Sequence, residues 1–168
     1  MDLRTERLRV RELTAADAPF MLRLLNEPSF LQNIGDRGVR TIPDAESYID
    51  RGPRAMYAQH GFGLCAVTLA DEGTPIGICG ILKRDTLPEP DIGFAFLPAY
   101  WSRGYAFEAA SAVRDFARDT LALPGLLAIV SPGNVSSIRL LERLGFVIER
   151  TIAMPGDAHE VQLFAMRL

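Results

Sequence analysis

Apolar residues along this chain switch repeatedly between two spacings, and the switches divide it into strands and helices. Leu8 and Val10 alternate with Arg7, Arg9 and Arg11, the period of a half-buried strand. After Thr14, a residue suited to cap a helix, Phe20, Met21, Leu24 and Leu25 follow a helical spacing that Pro28 is expected to stop. A second helix is expected to start near Pro43, because a first turn tolerates proline, and Gly52-Pro53 is expected to break or kink it. From Gly63 the texture becomes that of strands. Leu64 to Leu69 and Ile76 to Leu82 flank the turn Asp71-Glu72-Gly73, and Ile92 to Leu97 follows a loop through Pro88 and Pro90.

The remainder alternates helix and strand. A helix is expected from Tyr105 to about Leu121, with Ala106, Ala109, Val113 and Phe116 on one face. The wholly apolar run Leu126 to Val130 reads as a central strand, and a helix over about Val135 to Leu144 is closed by Gly145. Phe146 to Arg150 and Val161 to Met166 are the last two strands. Strands first and β-α-β units later predict an α+β fold on a mixed sheet. No repeat, low-complexity tract or long linker divides residues 1–168, so a single domain is expected.

Charge and composition narrow the chemistry. The 168 residues carry 18 basic and 21 acidic side chains, a net charge of −3, which argues against a broad electrostatic grip on nucleic acid. A local basic patch that binds phosphate remains compatible with that balance. Cys65 and Cys79 lie in apolar, strand-like runs, and with only His60 and His159 besides they form neither a disulfide framework nor a zinc-ligand spacing. No metal is therefore expected, and both thiols are expected buried and reduced. No apolar stretch approaches the ~18–20 residues of a membrane span, and Met1 to Glu12 lacks the apolar core of a secretory leader. A cytoplasmic address without membrane partners is the expectation.

The informative stretch is Asp91 to Ala109. A strand passes through Arg103-Gly104-Tyr105-Ala106 into a helix, which directs the unpaired amides of the helix N-terminus toward the strand's end. Such a terminus carries roughly +0.5 of an elementary charge together with free N–H donors, and binds phosphate or pyrophosphate. Gly104 lets a ligand approach without a Cβ in the way, and Arg103 adds a cation. An ordinary β-α turn has the same appearance. Neither G-x-x-x-x-G-K-[ST] nor G-x-G-x-x-G is present. A second element, Asn134 to Phe146, begins with an asparagine in a helix-capping position after Pro132-Gly133.

Taken in order (strand, phosphate turn, helix, strand, Asn-x-x-Ser helix, Gly-Phe, strand) the chain resembles the GNAT acetyltransferases, and within them the RimJ/RimL branch of ribosomal-protein N-terminal acetyltransferases. The family's [Gln/Arg]-x-x-Gly-x-[Gly/Ala] motif falls on Trp101-Ser-Arg-Gly-Tyr-Ala106. Trp101 is an aromatic usual in this branch, and Ser102 stands where the branch carries a glycine. Asn-x-x-Ser-x-x-Leu-x-x-x-x-Gly-Phe is matched from Asn134 to Phe146, and Thr5 to Glu12 and Asn26-x-Pro28 match the branch as well. The resemblance covers nearly the whole chain.

It implies a GNAT-like mixed sheet of about six or seven strands flanked by about four helices, in which two adjacent parallel strands splay and acetyl-CoA enters the gap. Those strands fall on Ile92–Leu97 and Leu126–Val130. Phe96 and Leu97 are then the backbone partners of the pantetheine arm, the amides of Ser102, Arg103, Gly104, Tyr105 and Ala106 hold the pyrophosphate, and Asn134 contacts the cofactor near its pantetheine. The implied reaction moves an acetyl group to a primary amine, either a protein N-terminus or a small molecule, by direct attack in a ternary complex. Asp91, where branch members often carry Glu, is the candidate base; its plainer role is a solvated loop carboxylate. The tyrosine that serves many members as general acid corresponds to Leu141, which has no proton to give, so the branch's serine, Ser137, is the candidate donor to the leaving thiolate. A backbone N–H near Phe96 or Leu97 is the candidate oxyanion donor.

Other residues have plainer expectations. Glu108 is expected to be structural, His60 structural or solvated, Tyr100 and Trp101 packed at the turn, and the arginines at 37, 40, 51 and 54 solvated. The acceptor is expected against the first two helices and the loops Arg37–Pro43 and Arg84–Pro90. Dimers are common in the family, so a homodimer belongs to the picture. The opposing class is a non-catalytic acyl-CoA-binding or sensing module that keeps the cleft but has lost acceptor chemistry.

Overall fold

Eight strands share one sheet in the computed structural model, which describes residues 1–156 and 158–168. They are β1 (Asp2–Arg4), β2 (Leu8–Glu12), β3 (Leu64–Leu69), β4 (Pro75–Leu82), β5 (Asp91–Phe96), β6 (Gly125–Val130), β7 (Val147–Ala153) and β8 (Glu160–Arg167). Their spatial order is β1-β2-β3-β4-β5-β6-β8-β7. Neighbours are antiparallel except β5 and β6, which run parallel. The helices are α1 (Ala18–Leu25), α2 (Pro28–Asn33), α3 (Ile42–Ile49), α4 (Ala55–His60), α5 (Tyr105–Asp119) and α6 (Val135–Leu144).

The mixed α+β sheet stands as expected, with more elements than the expected six or seven strands and four helices. The short β1 is added at the edge. α1 ends at Leu25, before Pro28 as expected, and Pro28 also opens α2, an unexpected helix in whose first turn its missing N–H would have had no partner anyway. Gly52-Pro53 interrupts the second helix, as expected, though without ending the helical path. Residues Asp50–Arg54 wind into a wider π turn in which the Ala55 N–H reaches back five residues to the Asp50 carbonyl, and α4 continues from it. The extra width accommodates the proline ring that a regular turn would reject.

Alternation along β3 and β5 assigns two cores to the two faces. Cys65, Val67, Ile92 and Phe96 pack under α5 and α6, with Ala109, Ala110, Val113 and Ala117 of α5 and Leu141 and Leu144 of α6. Ala66, Ile78 and Leu97 face the other way, against Phe20, Met21, Leu24 and Leu25 of α1, Phe30 of α2 and Ile49 of α3. Each of the larger side chains among them (Val, Leu, Ile, Phe and Met) contributes about 1.5–3 kcal/mol when removed from water, and each alanine less. Small residues on the buried stripe of α5 seat it against the sheet.

One strand pair is zipped at a single point. β5 and β6 meet only where Asp91 stands beside Leu127, and the Leu127 N–H donates to the Pro90 carbonyl at 2.9 Å. Beyond it β5 stays paired with β4, and β6 with β8, so the two parallel strands part.

Candidate active site

The parted strands leave an edge of unpaired backbone. Leu97 donates its N–H to the Ile76 carbonyl on the β4 side at 2.9 Å. Along an antiparallel pair the bonded residues alternate, so Phe94 and Phe96 turn their backbone groups to the gap. The expected role of Leu97 as a pantetheine partner is therefore corrected. Its N–H is committed to β4, its carbonyl accepts from the Tyr100 N–H at 2.9 Å and the residue is 2% exposed, so Phe94 and Phe96 are the residues whose backbone faces the gap. Trp101 donates its indole Nε1–H to the Phe96 carbonyl at 2.8 Å, which leaves the Phe96 N–H to the gap. Gly77 on β4 makes room for the ring of Phe96, since a Cβ there would lie 2.5 Å from Phe96 Cδ1.

The turn into α5 is built from left-handed residues. Ser102 has φ 60° and Gly104 φ 81°, and such an arrangement gathers successive N–H groups into a concave, anion-receiving surface. The left-handed region costs a non-glycine residue about 1–2 kcal/mol, which marks Ser102 as strained. The first helical bond runs from the Glu108 N–H to the Gly104 carbonyl at 3.0 Å, so the amides of Tyr105, Ala106 and Phe107 have no partner within the helix. Ser102, Gly104, Tyr105 and Ala106 all line the cleft. The guanidinium of Arg103 lies over the Tyr100 ring, 5.9 Å from its centroid.

Across the gap stands α6. Asn134 caps it: its Oδ1 accepts from the Ser137 N–H and from Ser136 Oγ, each at 3.3 Å. Asn134, Ser136 and Ser137 line the cleft, with Arg139 and Arg143 further along the same helix. Leu24, Ser29, Phe30, Asn33 and Ile34 of the α1–α2 segment close the other side, and Ser131 Oγ donates to the Asn33 carbonyl at 2.8 Å to tie that side to the end of β6. The cleft, open to solvent on one side, has a volume of ≈ 450 Å³, within the range for a small-molecule site. Phe94, Phe107, Arg139, Arg143 and the α2 residues escaped the sequence reading. The i, i+4 spacing of the two arginines was the one available signal.

Asp91 occupies the apex where β5 and β6 join. It is 1% exposed, so it is not the solvated loop carboxylate of the plainer expectation. Arg84 Nε donates to both of its oxygens, at 3.0 and 3.1 Å. Burial raises its pKa above the ordinary value, against the opposing pull of Arg84. The side chain does not line the cleft. Leu141 is 1% exposed in the core beneath α6.

Several other residues are locally engaged. Arg40 pairs with Asp36, Arg54 with Asp50, and Arg51 donates to Ser47. His60 stacks on Phe62 with centroids 5.6 Å apart. Cys65 and Cys79 stand opposite one another on β3 and β4, both buried and unbonded. Burial pushes the Cys65 thiol up to about 12 and the Cys79 thiol upward as well, so neither is a thiolate near neutrality. Among the described residues no helix is long and apolar enough to cross a membrane.

A parted parallel pair, a left-handed turn with free amides and a capped helix facing it form one cleft. The chain belongs to the GNAT acetyltransferase family, whose domain matches residues 7–147. It is 27% identical over 145 residues to the "uncharacterized N-acetyltransferase" YnaD of Bacillus subtilis, covering 86% of this chain and 82% of that protein. An acetyltransferase structure from Agrobacterium tumefaciens superposes with TM-score 0.85 at 32% identity, over 100% of this chain and 95% of that one. The fold is shared too by RimL, a ribosomal-protein α-N-acetyltransferase in complex with coenzyme A (TM-score 0.82, 14% identity, 100% and 98% coverage). The protein is an acetyltransferase.

Proposed function

We propose that this acetyltransferase is a RimJ/RimL-like N-acetyltransferase that moves acetyl from acetyl-CoA to a primary amine, a protein N-terminus or a small molecule, in the cytoplasm. The observation that carries this reading is the unpaired edge of β5 facing a cleft whose mouth is the turn at 102–104. The pantetheine arm pairs with the backbone of Phe94 and Phe96. The pyrophosphate rests on amides from Ser102 to Ala106, with Arg103 nearby, and Asn134 contacts the arm from across the gap. Ser137 donates a hydrogen bond to the sulfur.

In the reaction the amine lone pair attacks the thioester carbonyl carbon, a C–N bond forms, and the C–S bond breaks to release thiolate. A thiol pKa near 8.5 makes thiolate a tolerable leaving group once the Ser137 hydroxyl supports it. The Phe94 N–H, on the gap side nearest the apex, is the oxyanion donor. An α-amine with pKa of about 7.7–8.0 is substantially neutral at working pH, whereas a lysine near 10.4 is not, which favours an α-amine or a similarly weak base as acceptor. Asp91, buried at the apex where β5 and β6 join, is the proposed base and takes the amine proton through a bridging water. Its raised pKa suits that task, because a base is most effective near the operating pH.

An acceptor panel assayed by CoA release tests the reading, together with Asp91→Asn and Ser137→Ala. Asp91→Asn is expected to lower kcat by about 10²-fold or more, and Ser137→Ala by about tenfold, the scale of one hydrogen bond to a charged group. Both variants should bind CoA as the wild type does. Unchanged turnover in Asp91→Asn would leave the Arg84–Asp91 pair as a purely structural seal.

A further inference from the structure

The opening motif Thr5 to Arg7 lies against the cofactor turn, though about a hundred residues separate them in the chain. Thr5 Oγ1 donates to Glu108 Oε1 at 2.6 Å, and the Arg7 backbone N–H donates to the same oxygen at 2.9 Å. The Arg7 guanidinium then makes two different bonds at once. Its Nε–H goes to Glu108 Oε2 at 2.7 Å and its Nη1 to the carbonyl of Arg103 at 2.9 Å. The same group lies over the Tyr105 ring, 4.5 Å from its centroid. A Cβ at Gly104 would sit 3.3 Å from Arg7 Nη2. Thr5 is itself fixed, since its hydroxyl oxygen accepts from the Leu8 N–H at 3.0 Å.

The carbonyl that Arg7 holds belongs to the peptide between the two left-handed residues of the turn. In a trans peptide the C=O and N–H point in opposite directions. A bond that pulls the Arg103 carbonyl toward Arg7 therefore turns the Gly104 N–H away from it, and Gly104 lines the cleft. We propose that Thr5, Arg7 and Glu108 are positioning residues: Glu108 and Thr5 fix the Arg7 fork, and Arg7 holds the turn in the form that presents its amides to the pyrophosphate of CoA. None of the three lines the cleft. The inference rests on the acetyl-CoA reading above. It converts Glu108, expected to be merely structural, into the anchor of the cofactor turn.

The test compares CoA with acetyl-pantetheine, which lacks the pyrophosphate and the nucleoside, by calorimetric titration of the wild type, Glu108→Gln, Arg7→Lys and Thr5→Val. Glu108→Gln and Arg7→Lys are each expected to raise the Kd for CoA about tenfold, since changes along a packed network modulate a distant site on that scale. The Kd for acetyl-pantetheine and the kcat at saturating acetyl-CoA should stay as in the wild type. Lysine keeps the charge but lacks the planar fork needed to reach Glu108 and the Arg103 carbonyl together, so an Arg7→Lys enzyme with wild-type CoA affinity would overturn the proposal. Equal losses for both ligands, or none for either, would overturn it too. Thr5→Val removes a single hydroxyl and gives the same ligand discrimination, smaller in size, should Glu108→Gln fail to fold. A wild type that does not bind CoA contradicts the underlying cofactor reading; a wild type that binds while the variants bind equally contradicts the positioning role alone.

Discussion

One side of the cleft offers backbone and the other offers side chains. β5, the turn at 102–104 and the start of α5 present amides and carbonyls whose direction is set by register and by left-handed dihedrals. The α1–α2 side presents Leu24, Ser29, Phe30, Asn33 and Ile34. Backbone groups are the same whatever the sequence, so the first side recognises a ligand through geometry, and only residues that control that geometry are critical to it. The second side recognises through size and polarity, which any substitution changes. In the proposed function the cofactor, of fixed chemistry, takes the first side and the acceptor the second.

The largest effect expected on this division is at Gly104. Gly104→Glu places a side chain at φ 81° and a negative charge among amides meant for an anion. Its CoA affinity should fall by about 10²-fold or more, since a like charge set against the ligand costs several kcal/mol, and thermal stabilisation by CoA should vanish.

Acid should release the same side in a second way. Burial works against the ionised form of Glu108, but bonds from Thr5 and Arg7 outweigh it and hold its pKa below the ordinary 4.5. A depressed folded-state value means that the stabilisation is complete above about pH 4.5 and is lost as pH falls through the folded value. The difference in melting temperature between wild type and Glu108→Gln should therefore be full at pH 6 and shrink on acidification below 4.5. A difference independent of pH would assign the effect to packing.

Smaller effects separate the two sides further. Ser102→Gly should relieve the left-handed strain, offset by the greater freedom of glycine in the unfolded chain, for a net gain of up to about 1 kcal/mol in a denaturant titration. On the opposite side, Ile34→Ser, at a position 39% exposed, should leave stability and CoA affinity within about twofold of the wild type while shifting the KM for the acceptor. A CoA loss as large as that of Gly104→Glu would erase the distinction between the sides.

The same distinction explains what the sequence disclosed. The turn at 102–104, the Asn134 cap and the strand–helix order are short-range features, and glycine, asparagine and periodicity announce them. Which groups of β5 face the gap is a matter of register with β4, which depends on Ile76 meeting Leu97; the strand was legible and its pairing was not. α2 was hidden because Pro28 serves equally to stop one helix and to start the next. The burial of Asp91 needs Arg84 across a loop, and the anchoring of Glu108 needs Thr5 and Arg7 from the far end of the chain. Contacts of that range leave no local trace.

Amide hydrogen exchange at three neighbouring residues tests most directly whether the edge of β5 is the cofactor's partner. On saturation with acetyl-CoA, the Phe94 and Phe96 amides should slow markedly, while Leu97, already bonded to Ile76, should stay as it was. Unchanged exchange at Phe94 and Phe96 in the acetyl-CoA-saturated protein would contradict a backbone-built cofactor wall.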